Sequence, residues 1–182
     1  MPADRLRSAL RDSTSPLHRS LDDVVGDFGS IQAYTTYARK THRFRQAMEC
    51  ALLDDDESGW MLDRIAWLIA MDVADLGTNV LPKTETELSF DTSARRLGAF
   101  YVLEGSALGA RLLLRRAEAI GTNADFGARH LARQASDPMR WRSFLNVLEN
   151  LPEDKHEAAL AAARDTFSLA LSIYSETADE FA

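Results

Sequence analysis

The stretch Arg95–Arg116, which reads RRLGAFYVLEGSALGARLLLRR, is apolar along most of its length and contains three glycines. Gly98, Gly105 and Gly109 are seven and four residues apart, so on an α-helix they share one narrow face. A glycine inside a helix costs about 0.5–1 kcal/mol relative to alanine. A close approach to the helix backbone would explain why three are present. From the spacing alone, tight packing against another helix is favoured, and a flat bound ligand is the alternative.

Composition narrows the class of protein. The chain has 182 residues, of which 46% are hydrophobic and 27% charged, as expected for one domain with a substantial core. A formal net charge of −7 argues against nucleic acids and anionic membrane surfaces as partners. We expect no apolar run to reach the roughly 20 residues of a membrane span. The charged N-terminus lacks the apolar core of a signal peptide, and one cysteine excludes an internal disulfide, so a cytoplasmic location is expected.

Apolar residues recur with helical period along the chain, and no stretch alternates with period two. Pro16 predicts a kink or short break near Ser13–Ser15, because proline removes one backbone hydrogen bond. The pattern predicts an all-α fold, with residues 1–182 forming a single domain of six to eight helices. The predicted helices cover about 4–25, 31–53, 61–76, 92–120, a short segment within 122–136, 139–151 and 152–180.

His18 is the residue most suited to ligand chemistry, although a lone histidine on an amphipathic helix is more often packed or solvated. A neutral imidazole is a good axial ligand for haem iron. A haem plate needs a ligand helix on one side, a smooth helix on the other and cations beside its propionates. The glycine-rich helix offers the smooth face, and arginines pair with carboxylates in bidentate fashion. The candidate arginines are Arg11, Arg140 and Arg142, although for each of them taken alone a solvated surface charge is favoured.

The remaining chemical groups give weaker signals. The other three histidines, at positions 42, 130 and 156, have no metal-ligand spacing and are expected to be mostly surface residues. The acidic run Asp54–Glu57 lacks the length and glycine of a calcium-binding loop and is expected to be solvated. Nothing in the sequence marks Cys50 as reactive, so a buried structural thiol is favoured.

Two motifs resemble those of the haem oxygenases. LRDSTSPLHRSLD, at Leu10–Asp22, is similar to the proximal helix of that family, in which a histidine follows a threonine by four residues. YVLEGSALGAR, at Tyr101–Arg111, is similar to the distal helix, especially in the bacterial members that accompany bacteriophytochromes. The resemblance implies a haem-oxygenase-like multi-helix bundle over most of the chain.

The resemblance also implies roles for individual residues. His18 matches the proximal iron ligand. Gly105 and Gly109 match the distal glycines that let the helix bend toward haem, and Ser106 lies where it would help to anchor a distal water network. Their positions follow the order of the family motifs.

Three further residues match groups that contact the rest of the haem. Arg11 lies where the family places a basic contact to a propionate, and the segment WRSFLNVLE, at Trp141–Glu149, points to Arg142 as another such contact. Phe167 matches an aromatic pocket residue of the last helix.

The sequence departs from the family pattern at three positions. Ala110 replaces a second glycine found in many members, and Ser106 stands where many animal-type members have a distal aspartate. Ser15 stands where some members have lysine. Because the first two concern catalysis, the resemblance supports haem binding more strongly than turnover.

The implied activity is oxidative cleavage of haem to biliverdin, carbon monoxide and iron, with haem as both substrate and cofactor. It implies dioxygen, an external electron donor such as a ferredoxin or a flavin reductase, and a bacteriophytochrome as a biliverdin acceptor. Three alternatives remain open at this point. They are a haem-binding or haem-sensing protein without turnover, a thiaminase-like enzyme with Cys50 as nucleophile, and a non-enzymatic helical partner protein.

Overall fold

The computed structural model describes residues 3–52 and 58–177, and within these ranges it contains α-helices and no β-strand. The all-α prediction is therefore confirmed. The predicted acidic loop at Asp54–Glu57 lies outside the described residues. The helices are α1 (Ala3–Val25), α2 (Ile31–Ala51), α3 (Ala66–Asp75), α4 (Ser93–Gly105), α5 (Ala107–Ala119), α6 (Arg129–Ala135), α7 (Arg140–Leu148) and α8 (His156–Ser175).

Helix α8 forms the centre of the core. Helices α1, α2 and α4 all pack against it, and α7 closes the core beside α4. The main apolar cluster draws side chains from every one of these helices, including Leu10, Met48, Phe100, Phe144 and Ile173. Removal of this apolar surface from water is the principal force that holds α1 and α4 in fixed positions around α8.

Of the kink or short break predicted near Ser13–Ser15, the break does not occur, because helix α1 continues through Pro16. Pro16 removes a single backbone donor, and the neighbouring helical bonds are enough to maintain the helix. The Thr14 hydroxyl donates to the Leu10 carbonyl at 2.8 Å, as serine and threonine often do within helices. Leu10 is fully buried and Leu17 packs on the same core cluster, so both sides of Pro16 are held against the core.

The glycine-rich stretch forms two helices, α4 and α5, that meet at Gly105–Ala107. At the junction the Gly109 amide donates to the Ser106 carbonyl at 3.3 Å, a tighter turn than an α-helix makes. By length and composition alone, Ser93–Ala119 is apolar enough to cross a membrane, with a mean hydropathy of 1.3. This corrects the expectation from the sequence that no apolar run reaches the length of a membrane span. Buried core helices are also long and apolar enough to meet this criterion. Here 44% of the 18-residue window that meets it is buried inside the fold.

Two other helix boundaries differ from the predicted ones, and hydrogen bonds from side chains explain the difference. Helix α3 begins at Ala66, later than predicted, because the buried Glu49 carboxylate accepts the amides of Ile65 and Ala66 at 2.9 and 3.1 Å and caps the helix there. Helix α8 ends at Ser175 instead of near residue 180. The Lys40 ammonium donates to the carbonyls of Tyr174 and Glu176, both at 2.7 Å, and satisfies this helix end.

Candidate functional site

His18 lies on the solvent side of α1, and its side chain is 61% exposed. Its Nδ1 is 2.8 Å from a carboxylate oxygen of Asp22, one helical turn later. An imidazole that donates from Nδ1 keeps a lone pair on Nε2, and no partner occupies Nε2 within the described residues. The sequence reasoning did not identify Asp22. The signal was available, because residues four apart on a helix are neighbours.

Phe167 of α8 lies beside His18, with 5.8 Å between the two ring centres. The Phe167 side chain is largely buried in the core cluster. Packing of α1 against α8 therefore brings together two residues that are 149 positions apart in the chain. The rigid core residue fixes one side of an otherwise exposed imidazole.

The three glycines of the distal stretch have different surroundings. A Cβ atom on Gly98 would overlap the Ala159 carbonyl of α8, so Gly98 serves helix packing. A Cβ on Gly105 would lie 3.7 Å from two ring carbons of Trp141, and one on Gly109 would have no atom within 4 Å. A single explanation therefore does not hold for all three glycines. Gly98 permits close contact between two helices, whereas Gly109 leaves open space.

Tyr101 connects this face with α1. Its ring centre is 5.4 Å from that of Trp141. Burial raises the pKa of Tyr101, while the positive charges of Arg7 and Arg11 act in the opposite direction, which places both arginines near the phenol. Arg11 itself is exposed and pairs with its neighbour Asp12 at 3.4 Å.

Arg142 follows Trp141 in α7 and is exposed. The helix thus carries an exposed cation directly after the indole that covers Gly105. The third arginine considered for the rim, Arg140, has another partner. Its guanidinium makes two hydrogen bonds to Glu104, at 2.6 and 2.7 Å, and the Glu104 side chain is only 4% exposed. Glu104 was not identified from the sequence, where it looks like one acidic residue in an apolar run.

Ser106 stands at the junction of α4 and α5. Its hydroxyl donates to the Leu103 carbonyl at 2.6 Å and accepts from the Gln134 amide at 2.8 Å. One lone pair on the hydroxyl oxygen is left. Ser106 can therefore accept one more hydrogen bond, for example from water, but its own proton is engaged.

Beside this junction lies a cavity of about 100 Å³, lined by charged and polar side chains. Glu104, Gln134 and Arg140 contribute to its wall, together with the buried Arg45. His18 and Phe167 do not line it. The cavity is thus a polar space behind the Ser106 junction, separate from the histidine.

Two of the remaining histidines are buried, which corrects the expectation that they lie on the surface. His42 is 4% exposed, and its Nδ1 has no hydrogen-bond partner. His130 is fully buried, and its Nδ1 is 2.7 Å from Asp72. Burial by itself would raise the pKa of Asp72, but hydrogen bonds from His130 and from the Arg129 amide outweigh burial and lower it. This cluster joins α3 to the start of α6.

Cys50 also differs from its prediction, because it is exposed at the end of α2. It borders a shallow surface depression together with Lys83 and Glu85 of the connector before α4. Within the residues described, no group of three or more histidine, cysteine and carboxylate side chains is arranged to hold a metal ion.

The chain is similar to a haem oxygenase in sequence and to solved structures in fold. The heme oxygenase PigA of Pseudomonas aeruginosa is 39% identical over 101 residues, which cover 53% of this chain and 51% of PigA. The match therefore spans about half the length of that relative. A haem oxygenase from Neisseria meningitidis, solved with NO and CO bound, superposes with a TM-score of 0.77 at 26% identity, covering 96% of this chain and 94% of that one.

No family model matches the sequence. The sequence relative and the structural neighbour nevertheless agree, and the structural match extends over nearly the whole of both chains. The all-α architecture agrees with both. In both sequence and fold, this chain is therefore similar to haem oxygenases.

Proposed function

We propose that this protein is a haem oxygenase that cleaves haem to biliverdin, carbon monoxide and iron, and that residues 1–182 act as one haem-oxygenase-like domain. The observation that carries the proposal is the exposed His18 imidazole, whose Nδ1 lies 2.8 Å from the Asp22 carboxylate and whose Nε2 has no partner among the described residues. The similarity to haem oxygenases supplies the activity to be tested. Nothing in the comparisons favours a haem-binding protein without turnover.

The donor set around His18 fits a haem iron. Neutral imidazole is a common iron ligand, and a carboxylate on the second ring nitrogen fixes the tautomer and raises the basicity of the ligand. Asp22 is placed for this role at 2.8 Å. Phe167 offers an apolar ring beside the imidazole, against which the porphyrin edge can pack.

The distal side is assigned to the α4–α5 junction. No atom of the described residues lies within 4 Å of a Cβ position on Gly109, so a flat ligand can approach the helix backbone there. Gly105 lies at the junction itself, as the last residue of α4. Ser106 can accept a hydrogen bond from a distal water, which would orient that water while Gln134 holds the hydroxyl in place.

Arg11 and Arg142 are proposed to pair with the haem propionates. Both are exposed cations, and Arg11 lies near Tyr101, whose hydroxyl is a further donor. Guanidinium groups form bidentate hydrogen bonds with carboxylates, which would fix the orientation of the plate about the iron–histidine bond. Arg140 is not included, because Glu104 already engages it.

When bound, haem is both the substrate and the group that activates dioxygen, and its cleavage requires electrons from an external donor. We propose a ferredoxin or a flavin reductase as this donor, a bacteriophytochrome as the acceptor of biliverdin, and a cytoplasmic location. The exposed arginines near Tyr101 carry positive charge in a chain of net charge −7, which favours an acidic donor on this side.

The test is titration with haemin followed by reduction in air. We expect one equivalent of haem to bind with a sharp Soret band, and ascorbate or ferredoxin with its reductase to replace that band by biliverdin absorption. His18→Ala should lose the native spectrum, and added imidazole should restore it. His156→Ala is the matched control, since His156 is only partly exposed and its Nε2 lies 3.0 Å from the Leu151 carbonyl. A Soret band that survives many equivalents of reductant would contradict the enzymatic proposal.

A further inference from the structure

Glu104 is a buried carboxylate in the last turn of α4, directly before Gly105. Its two oxygens accept three hydrogen bonds. Arg140 donates from Nε at 2.7 Å and from Nη2 at 2.6 Å, and the Trp60 indole donates at 2.9 Å. Because Arg140 engages both oxygens, the pair fixes direction as well as distance.

Arg140 extends the same connection to a third segment. Its Nη2 also donates to the Met61 carbonyl at 2.7 Å, and its guanidinium carbon lies 4.8 Å from the centre of the Trp60 ring. One side chain at the start of α7 therefore joins the end of α4 to the segment before α3. Both carboxylate oxygens of Glu104 have hydrogen-bond partners, which a buried carboxylate requires.

Trp141 follows Arg140 and lies against the glycine face. Two of its ring carbons are 3.7 Å from the position of a Cβ on Gly105, and its ring also contacts Tyr101 and Phe144. One turn further along, the space over Gly109 is open. The Trp141 indole therefore covers the glycine face at Gly105, and the face is open beyond it at Gly109.

Stability alone does not account for the Glu104–Arg140 pair. Replacement of a buried ion pair by apolar residues of similar volume is often neutral or stabilising, because the charges must be desolvated. Unlike an apolar contact, the ion pair fixes the orientation of α4 relative to α7.

We propose that Glu104 and Arg140 are positioning residues that hold Trp141 as a wall at the Gly105 end of the glycine face, and that this wall sets the in-plane orientation of bound haem. The proposal rests on the proposed haem oxygenase function. It adds a specificity determinant that acts through Trp141, without contact between the ion pair and the haem.

The experiment compares three variants with the wild-type protein. Glu104→Leu/Arg140→Met removes both charges together and avoids leaving one of them buried and unpaired. Trp141→Leu shortens the wall itself. Arg133→Gln is the control, because it removes a neighbouring arginine–carboxylate pair, with Asp63, from a 57% exposed side chain.

Two measurements are made on each protein. In the apo-protein, proton NMR records the nuclear Overhauser effect between the Trp141 ring and the Gly105 α-protons. In the cyanide-ligated ferric haem complex, the haem methyl shifts report the orientation of the plate. We expect the double variant to lose the Overhauser effect and, like Trp141→Leu, to show changed shifts or additional sets of methyl signals. Arg133→Gln should match the wild type in both.

Haem methyl shifts identical to wild type in the double variant, or in Trp141→Leu, would overturn the proposal while leaving the haem oxygenase function intact. An Overhauser effect that persists in the double variant would also overturn it. A wild-type protein that gives no haem signals at all would overturn the proposed function, and this inference with it. That failure is recognised in the wild type itself, before any variant is compared.

Discussion

Gly98 and Ala159 bring the backbones of α4 and α8 into direct contact, so close that a Cβ atom on Gly98 would overlap the Ala159 carbonyl oxygen. About three turns along the same stretch, a Cβ atom on Gly109 would have no neighbour within 4 Å among the described residues. The same residue type therefore serves two purposes in one sequence motif, and substitution separates them.

Gly98→Ala should lower the free energy of unfolding of the apo-protein by about 1–3 kcal/mol or more, because the added methyl group overpacks a backbone contact. In a protein of this size each kcal/mol corresponds to roughly 2–4 °C in the melting temperature. Gly109→Leu should leave the apo melting temperature unchanged or slightly raised, since leucine is the better helix former by up to about 1 kcal/mol. Thermal melts of the two apo-variants against wild type measure this difference.

The variants Gly98→Ala and Gly109→Leu also separate an effect on stability from an effect on haem binding. Gly109→Leu should fail to form the native haem complex, because the leucine side chain fills the space assigned to the ligand. Gly98→Ala, where it folds, should bind haem with the wild-type spectrum. A large fall in the apo melting temperature of Gly109→Leu would mean that Gly109 packs against protein, and would count against its place over the haem.

The glycines also show what the sequence could and could not predict. Helical periodicity was enough to predict an all-α fold and most helix positions, since burial of one helix face imposes that period. It could not distinguish Gly98 from Gly109, because residues seven and four apart share a face whatever lies opposite. The identity of the opposing surface depends on α8, which is about sixty residues further along the chain.

Asp22→Ala should weaken ferric haem binding by about 10–100-fold, the usual effect of losing the hydrogen-bond partner of a metal-bound histidine. It should also lower the iron–histidine stretching frequency in the ferrous complex, because the imidazole becomes a weaker donor. Haemin titration and resonance Raman spectroscopy measure the two effects. Asp23→Ala is the control, since Asp23 is exposed on the same turn. Equal behaviour of the two variants would rule out a specific role for Asp22.

Arg11→Gln/Arg142→Gln should reduce haem affinity by only about two- to fivefold per residue, because water screens exposed ion pairs. The larger effect should be on the orientation of the plate, and therefore on which biliverdin isomer forms. Chromatography of the products measures this. Lys83→Gln/Lys155→Gln changes the net charge equally at exposed positions elsewhere and should leave the isomer pattern unchanged. An unaltered pattern in the arginine variant would contradict a positioning role.

The polar core of the site could not be predicted from the sequence. Glu104 is one carboxylate in an apolar helix, and its importance depends on Arg140 and Trp60, which are far from it in the chain. Asp22 could have been identified from the sequence, because it follows His18 by only four residues on the same helix. Burial of His42 was also missed, since the helix pattern places it beside basic residues and gives no sign of what covers it.

His42 makes stability depend on pH. Burial lowers its pKa below the ordinary value of 6.5, although the Glu49 carboxylate acts against this, and its Nδ1 has no hydrogen-bond partner. Below pH 6.5 the unfolded chain takes up a proton that folded His42 does not yet accept, so the unfolded state binds more protons and stability falls with falling pH. The contribution of neutral His42 is complete above pH 6.5 and is lost as the pH drops toward the lowered pKa. Melting temperatures of the apo-protein between pH 8 and pH 5 should therefore decline more steeply in wild type than in His42→Gln, which cannot titrate. Parallel pH profiles for the two proteins would contradict this prediction, because they would show that His42 has the same pKa in the folded and unfolded states.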